Sequence, residues 1–325
     1  MKRFDMKVHA LLAMAATTAI GVGSLAQAAE APRVAALFTQ TVTQGTWDSA
    51  GYAGFKAMAD KGGLKPSYLE NTSYEAAPAA LRQLASDGVK LIIAHSSGYS
   101  AAIKEVAPSY PGTQFVLYSY EGSTANLPNY SAWSVDWDEY GFVLGALAAS
   151  ASKAGHIAVI AGEPIPSAER TIQFIKKGAA YVNPNVQVDT AYVGSFVDVA
   201  RAKEIATGVI ARGADFVIPT ADTADAGIQQ AADEEGVLTI GSYGDQSKAY
   251  PNAVMTSTLM NFGKSYADIG KAYADGKLGN RIVTENLASN GWSLVTPFAH
   301  VDAAVQAKVS KVMEDLKAGK IKIEE

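Results

Sequence analysis

The chain has no cysteine, only four histidines, and no long block of one charge. Without thiols there is no disulfide framework, no thiol nucleophile and no zinc–thiolate site, and a lipid anchor on an N-terminal cysteine is excluded. His9, His95, His156 and His300 show neither the helical pairing nor the carboxylate spacing that a metal site needs. With 27 Lys and Arg against 32 Asp and Glu, the net charge is −5, and no basic face is offered to nucleic acid phosphates. No Gly-x-Ser-x-Gly elbow occurs; Ser96-Ser97-Gly98-Tyr99-Ser100 comes nearest, with the wrong spacing. Gly263-Lys264-Ser265 ends like a phosphate loop but has no glycine-rich turn before it. The expectation is a protein without metal, cofactor or catalytic group.

What is present is apolar and evenly distributed. At 325 residues and 48% hydrophobic, the chain is long enough for two domains, each with its own core. The N-terminus reads as an export leader: Lys2, Arg3 and Lys7, then an apolar run from Ala10 to Gly23, then Ala26-Gln27-Ala28 as a small-x-small cleavage pattern. Thr17, Thr18 and the glycines interrupt a run shorter than the roughly 20 residues of a membrane span. Cleavage after about Ala28 removes a net +2 and takes the charge from −5 to −7. A periplasmic protein, exported and not lipid-anchored, is expected.

Beyond the leader, apolar runs alternate with helical stretches. Val34–Phe38, Leu91–Ala94 and Gln114–Tyr118 read as buried strands, with helices from about Asp48 to Asp60 and over Tyr99–Ala107. After the long helix Tyr140–Ser152 the pattern restarts with strands Ile157–Ala161, Val186–Val193, Phe216–Pro219 and Leu238–Ile240. Helices Ala168–Tyr181, Val199–Arg212 and Asp225–Glu235 lie between them. Asp87–Ala94 matches Arg212–Pro219 in kind and order, so the halves are built alike. Such alternation predicts α/β architecture, with two doubly wound parallel sheets and a cleft between them. The expected division is residues 29–138, with a return near 258–290, for one lobe. Residues 139–257, with a part near 291–325, would form the other.

Ligands of open α/β sheets bind beyond the carboxyl ends of the strands. Aromatic and small polar residues gather there. Thr46-Trp47-Asp48 leads into a helix carrying Tyr52, with Thr46 or Asp48 as its cap. Ser97 follows the second strand, Ser119 and Tyr120 the third, and Tyr243 and Asp245 the last. Flat rings beside a few Ser, Thr and Asp suit a planar heterocycle, stacked on its faces and hydrogen-bonded at its edges. From the second half, Phe196, Thr220 and Tyr243 would complete the grip, with Asp222 and Asp245 taking ring N–H groups. Asp136, Asp138 and Glu139 read as charges at a helix N-terminus, and Trp292, with Pro297, as packing near the lobe crossovers.

Several stretches together resemble one family. Thr46–Gly54 is similar to its Ser-Phe-Asn-x-x-x-Trp-x-Gly stretch; Glu139–Gly145 resembles its Glu-Gly-x-x-x-x-Gly helix start, with Tyr140 at the first glycine. Tyr181–Pro184, Tyr192–Asp198, Gly213–Asp215, Ile240-Gly241 and Thr256-Ser257 follow in the family's order. The family is the basic membrane protein, or PnrA-like, group of ABC-transporter substrate-binding proteins. The resemblance implies a type I-like periplasmic binding fold with a hinge, closing on a purine nucleoside or related heterocycle. It implies an inner-membrane ABC permease as partner, with the binding protein expected to be a monomer. It assigns the base to Trp47 and Asp48. The family's charged positions fall here on Ser119, Tyr243 and Met260. Those losses imply a flatter ligand without ribose, a free base. The alternatives are a component of a periplasmic sensor, a binder of another flat heterocycle such as a flavin, and an enzyme acting on one.

Overall fold

Leu91–Ala94 has four apolar residues in a row because both faces of its strand are covered, alternate side chains entering different cores. The computed structural model describes residues 30–43 and 47–323. The expected leader, and Thr46 as a helix cap, lie outside them.

The first sheet is built from β1 (Arg33–Leu37), β2 (Lys65–Leu69), β3 (Leu91–Ala94), β4 (Gln114–Tyr118) and β5 (Tyr130–Val135). Helices α1 (Trp47–Gly62), α2 (Ala77–Ser86) and α3 (Ser100–Val106) connect its first four strands. The chain then crosses into α4 (Trp137–Ala151), and the second sheet repeats the plan. It holds β6 (His156–Ala161), β7 (Gln187–Tyr192), β8 (Phe216–Thr220), β9 (Leu238–Gly241) and β10 (Val254–Met260), joined by α5 (Pro166–Val182), α6 (Val199–Ala211) and α7 (Asp225–Glu235). Helix α8 (Phe262–Ala274) and β11 (Arg281–Glu285) return to the first lobe; β12 (Trp292–Leu294) and α9 (Ala303–Lys317) belong to the second.

The strand orders are β11-β5-β4-β3-β1-β2 and β12-β10-β9-β8-β6-β7, the same winding twice. Every pairing is parallel except that of β10 with β12. Val34, Ala36, Ile157 and Val159 face one continuous core, whereas Ala35 and Ala158 face the outer core of their own lobe. Two parallel-sheet α/β lobes result, joined where the chain passes between sheets after β5, after β10 and between β11 and β12.

These crossings are tied together. Asp136 caps α4, accepting from the amides of Asp138 and Glu139, in line with the charges expected there. Its own amide donates to the Glu285 carbonyl at 2.8 Å. The buried Glu139 carboxylate accepts from the Leu287 amide at 2.6 Å and the Trp292 indole at 3.1 Å, so Trp292 packs at the crossovers as its sequence context suggests. Helix α4 packs closely on α5 because Gly145 meets the Ile175 carbonyl and Gly178 meets that of Phe142, where no side chain fits. Among the described residues, no helix is long and apolar enough to cross a membrane.

Some expected boundaries move. Helix α4 begins at Trp137 rather than Tyr140, since Asp136 supplies its cap. Asp48 does not cap α1: it sits inside the first turn, and its carboxylate turns back to the loop after β1.

Candidate ligand-binding site

The segments following β1, β3, β4, β6, β8 and β9 converge where the lobes meet. They line a partly open cavity of about 590 Å³ including the solvent at its mouth, of which about 60 Å³ can hold the centre of a water molecule. Its polar groups include Thr39, Gln40, Ser96, Ser119, Ser167 and Thr220. Its aromatic walls are Trp47, Tyr74, Trp137, Tyr140, Phe196 and Tyr243. Among the described residues lining it there is one carboxylate, Asp222, and no Lys, Arg or His.

Trp47 is held from behind. The His95 ring stacks on the indole with centroids 4.8 Å apart and planes at 25°, and the Tyr118 ring lies 5.0 Å from His95 and 5.8 Å from Trp47, closing a cluster of three rings. The indole N–H donates to the His95 carbonyl at 3.0 Å, and His95 Nε2 lies 3.2 Å from the Trp47 carbonyl. A carbonyl only accepts, so Nε2 carries the proton, and Nδ1 accepts from the Tyr266 hydroxyl at 2.8 Å. Complete burial holds the imidazole neutral, its pKa pushed down to about 3. Gly51 on α1 leaves the space that the ring fills.

The second lobe reaches across through Asp222. Its carboxylate accepts from Gln40 Nε2 at 2.6 Å and from the Trp47 amide at 3.1 Å, so one lobe's acid meets the free amide at the start of the other lobe's helix. Thr223 donates to Gln40 Oε1 at 2.8 Å, and the hydroxyls of Ser97 and Ser167 lie 3.0 Å apart. Asp222 and Tyr243 have φ of 53° and 62°, a left-handed conformation unusual for side-chain-bearing residues and frequent at functional sites. Two further acids lie close behind. Asp48 is pushed up to about 7, chiefly by burial, and so is Asp225 at the start of α7.

Of the residues expected to hold ligand, Trp47, Ser119, Phe196, Thr220, Asp222 and Tyr243 line the cavity. The others lie elsewhere, each for a physical reason. Asp48 is fully buried, with Oδ2 taken by Thr39 Oγ1 at 2.8 Å and the Gln40 amide at 2.7 Å. Tyr52 faces Phe38 and Tyr68, its ring 4.8 Å from the latter. Ser97 bridges the lobes, Tyr120 lies 5.7 Å from the Arg170 guanidinium, and the exposed Asp245 accepts from the Ser247 amide. Sequence reasoning missed Gln40, Tyr74, Trp137, Tyr140 and Ser167. Gln40 directly follows the first strand and was within reach of the strand-end rule. Trp137 and Tyr140 follow β5, whose mixed Tyr-Ser-Ala-Trp-Ser-Val composition hides a fully buried strand.

Comparison with known proteins agrees with this architecture. The sequence profile of the family described as "ABC transporter substrate-binding protein PnrA-like" matches residues 31–325. The chain belongs to that family. Within the PnrA-like family it is similar to a purine-binding protein of Brucella abortus, 27% identical over 267 residues, covering 82% of this chain and 74% of that protein. It is also similar to the ABC transporter nucleoside-binding protein BmpA of Lactococcus lactis, 24% identical, covering 87% of this chain and 86% of that protein. The transcriptional activator protein Med of Bacillus subtilis is 27% identical, with 87% of each chain covered. Among solved structures, a solute-binding protein of an Aeropyrum pernix ABC transporter system superimposes with a TM-score of 0.78 at 18% identity, covering 90% of this chain and 92% of that one. PnrA-like membership implies a small-molecule ligand and a membrane permease as partners.

Proposed function

We propose that this protein captures a planar, purine-type heterocycle outside the cytoplasmic membrane and delivers it to an inner-membrane ABC permease, working as a monomer without chemical change to its ligand. The carrying observation is the cavity between the lobes, walled by six aromatic residues and edged by Gln40, Ser119, Thr220 and Asp222. Rings stack on a flat ligand, and the polar groups meet its edge. Asp222 would accept a ring N–H, while the Tyr243 ring, 5.3 Å from Trp47, would close over the same ligand from the second lobe.

The loss of the family's charged positions at Ser119, Tyr243 and Met260 favours a free base. The absence of Lys and Arg from the described lining disfavours phosphorylated ligands. The names of the Brucella and Lactococcus relatives support a purine or nucleoside as the ligand class. Calorimetric titration of the purified chain with adenine, guanine and xanthine against adenosine, guanosine and riboflavin tests the reading. Bases are expected to bind more tightly. Tighter nucleosides would overturn the preference for a base, and no binding by any of the six would overturn the ligand class. A sensing role is a second reading, supported by the Bacillus subtilis relative's name as a transcriptional activator.

A further inference from the structure

Asp87–Ala94 and Arg212–Pro219 correspond in the two halves, and the same spacing carries the match three residues on, to Ser97 in one lobe and Asp222 in the other. The folded chain keeps that match. Ser97 opens a short 3₁₀ turn, Ser97–Tyr99, between β3 and α3, and Asp222 opens the turn Asp222–Ala224 between β8 and α7. Each stands beyond the carboxyl end of the strand beside its lobe's first strand.

The groups they meet correspond as well. Asp222 Oδ1 accepts from the Trp47 amide at 3.1 Å, and Ser97 Oγ accepts from the Ser167 amide at 3.2 Å. Helix α1 follows β1, the first strand of one lobe, and α5 follows β6, the first strand of the other. Trp47 is the first residue of α1. Helix α5 begins with Pro166, which has no N–H, so the Ser167 amide is its first donor. Amides in a first turn have no acceptor within their own helix. Ile165, at the capping position of α5, has no side-chain oxygen to supply one. Ser97 and Ser167 are both buried, with hydroxyls 3.0 Å apart, so this joint is shielded from solvent. Each lobe finishes the first helix of the other. Both helix ends also wall the cavity, through Trp47 on α1 and through Ser167, Ala168 and Thr171 on α5.

We propose that Ser97 and Asp222 are positioning residues that hold the lobes together by exchanging helix caps. One displacement of the lobes takes Ser97 from α5 and Asp222 from α1, so both caps are lost at once. Loss of a cap disfavours a helix end by roughly fivefold. The two joints therefore act as a single latch that draws the lobes together before ligand enters, with Trp47 and the start of α5 already set as facing walls. The latch belongs to the joint between the lobes and holds whichever ligand the cavity takes.

Amide hydrogen exchange of the ligand-free protein, followed residue by residue by NMR, tests it. Protection at Trp47 and Ser167 reports the cap from the opposite lobe, since neither amide has an acceptor in its own helix. Both are expected to be protected in the unaltered protein, and free exchange at either overturns the proposal. Ser97→Ala and Asp222→Gly each remove one acceptor, the glycine tolerating the φ of 53° at that position. Either variant is expected to speed exchange at both Trp47 and Ser167 by about fivefold or more, while interior amides such as Met58 on α1 and Ile175 on α5 keep their rates. Asp222→Asn keeps an acceptor and suits the left-handed backbone, so both amides should stay protected. Faster exchange only at the amide whose own cap was removed overturns the proposal, because the caps would then be independent. Unchanged rates in Ser97→Ala and Asp222→Gly overturn it too, as does loss of protection in Asp222→Asn. The variants lie in different lobes, so if one fails to fold the other decides.

Discussion

Trp47 and His95 hold each other through two reciprocal hydrogen bonds and a stacked contact, so the indole presented to the cavity has a fixed plane. His95→Phe keeps a ring in the stack but leaves the Tyr266 hydroxyl and the Trp47 carbonyl without that partner. Unpaired buried groups cost about 1–3 kcal/mol each. Urea unfolding is expected to show a loss of about 2–6 kcal/mol for the two groups together, and ligand titration a weaker site; unchanged affinity would mean that the stack does not orient Trp47. The buried titrating groups act in opposite directions. His95 is depressed to about 3 from 6.5, so its contribution is whole above pH 6.5 and is lost as pH falls toward 3. Asp48 and Asp225 are raised from 3.8 to about 7, so theirs is whole below about pH 4 and is lost as pH rises through 7. Asp225→Asn should therefore raise stability at pH 8, on the order of a few kcal/mol, and flatten the profile between pH 4 and 7. Thermal melts of both proteins across that range check it; identical profiles would exclude Asp225 as the source.

Helices α4 and α5 meet through glycine, and α4 also carries Trp137 and Tyr140 into the cavity. Packing there and the shape of the site are thus one problem. In Gly178→Ala the new methyl would meet the backbone at Phe142, which cannot swing aside as a long side chain would. Overpacking of this kind costs about 1–3 kcal/mol. A melting temperature lower by several degrees is expected, together with weaker ligand binding as α4 shifts. A drop in stability with binding untouched would show the helix pair to be independent of the cavity. The same level shows why some strands were unreadable. All of β2, Lys65–Leu69, is exposed at the edge of its sheet, so no hydrophobic pattern marks it. By contrast β3, β4 and β6 are central and buried, and their runs of Ile, Leu, Val and Phe stood out.

The lobes are joined directly as well as through any ligand between them. Gln40 grips Asp222 and Thr223, Asp222 meets the first amide of α1, and Ser97 meets Ser167. In the proposed mechanism closure is a balance between states, which these bonds would bias before ligand contributes. Removing the Gln40 amide takes away two interlobe bonds, together about 2 kcal/mol, or roughly thirtyfold in the ratio of closed to open. Gln40→Ala is expected to raise the radius of gyration of the ligand-free protein in solution scattering, with ligand restoring the compact form. An unchanged radius would mean that these bonds do not bias closure.

Strand and helix periodicity, the duplication of the α/β plan and the family's order of motifs were all present in the linear chain, because each depends on neighbours a few residues apart. The strand-end rule led from there to Trp47, Ser119, Phe196, Thr220, Asp222 and Tyr243. Which way each side chain turned was not local. Asp48 and Trp47 are adjacent, yet one is drawn into the loop after β1 and the other faces the cavity, since His95, 48 residues away, props the indole. Gln40 meets Asp222 across 182 residues and a change of lobe. Contacts of that span exist once the strand-end segments of the two lobes have met, and the cavity consists of such contacts.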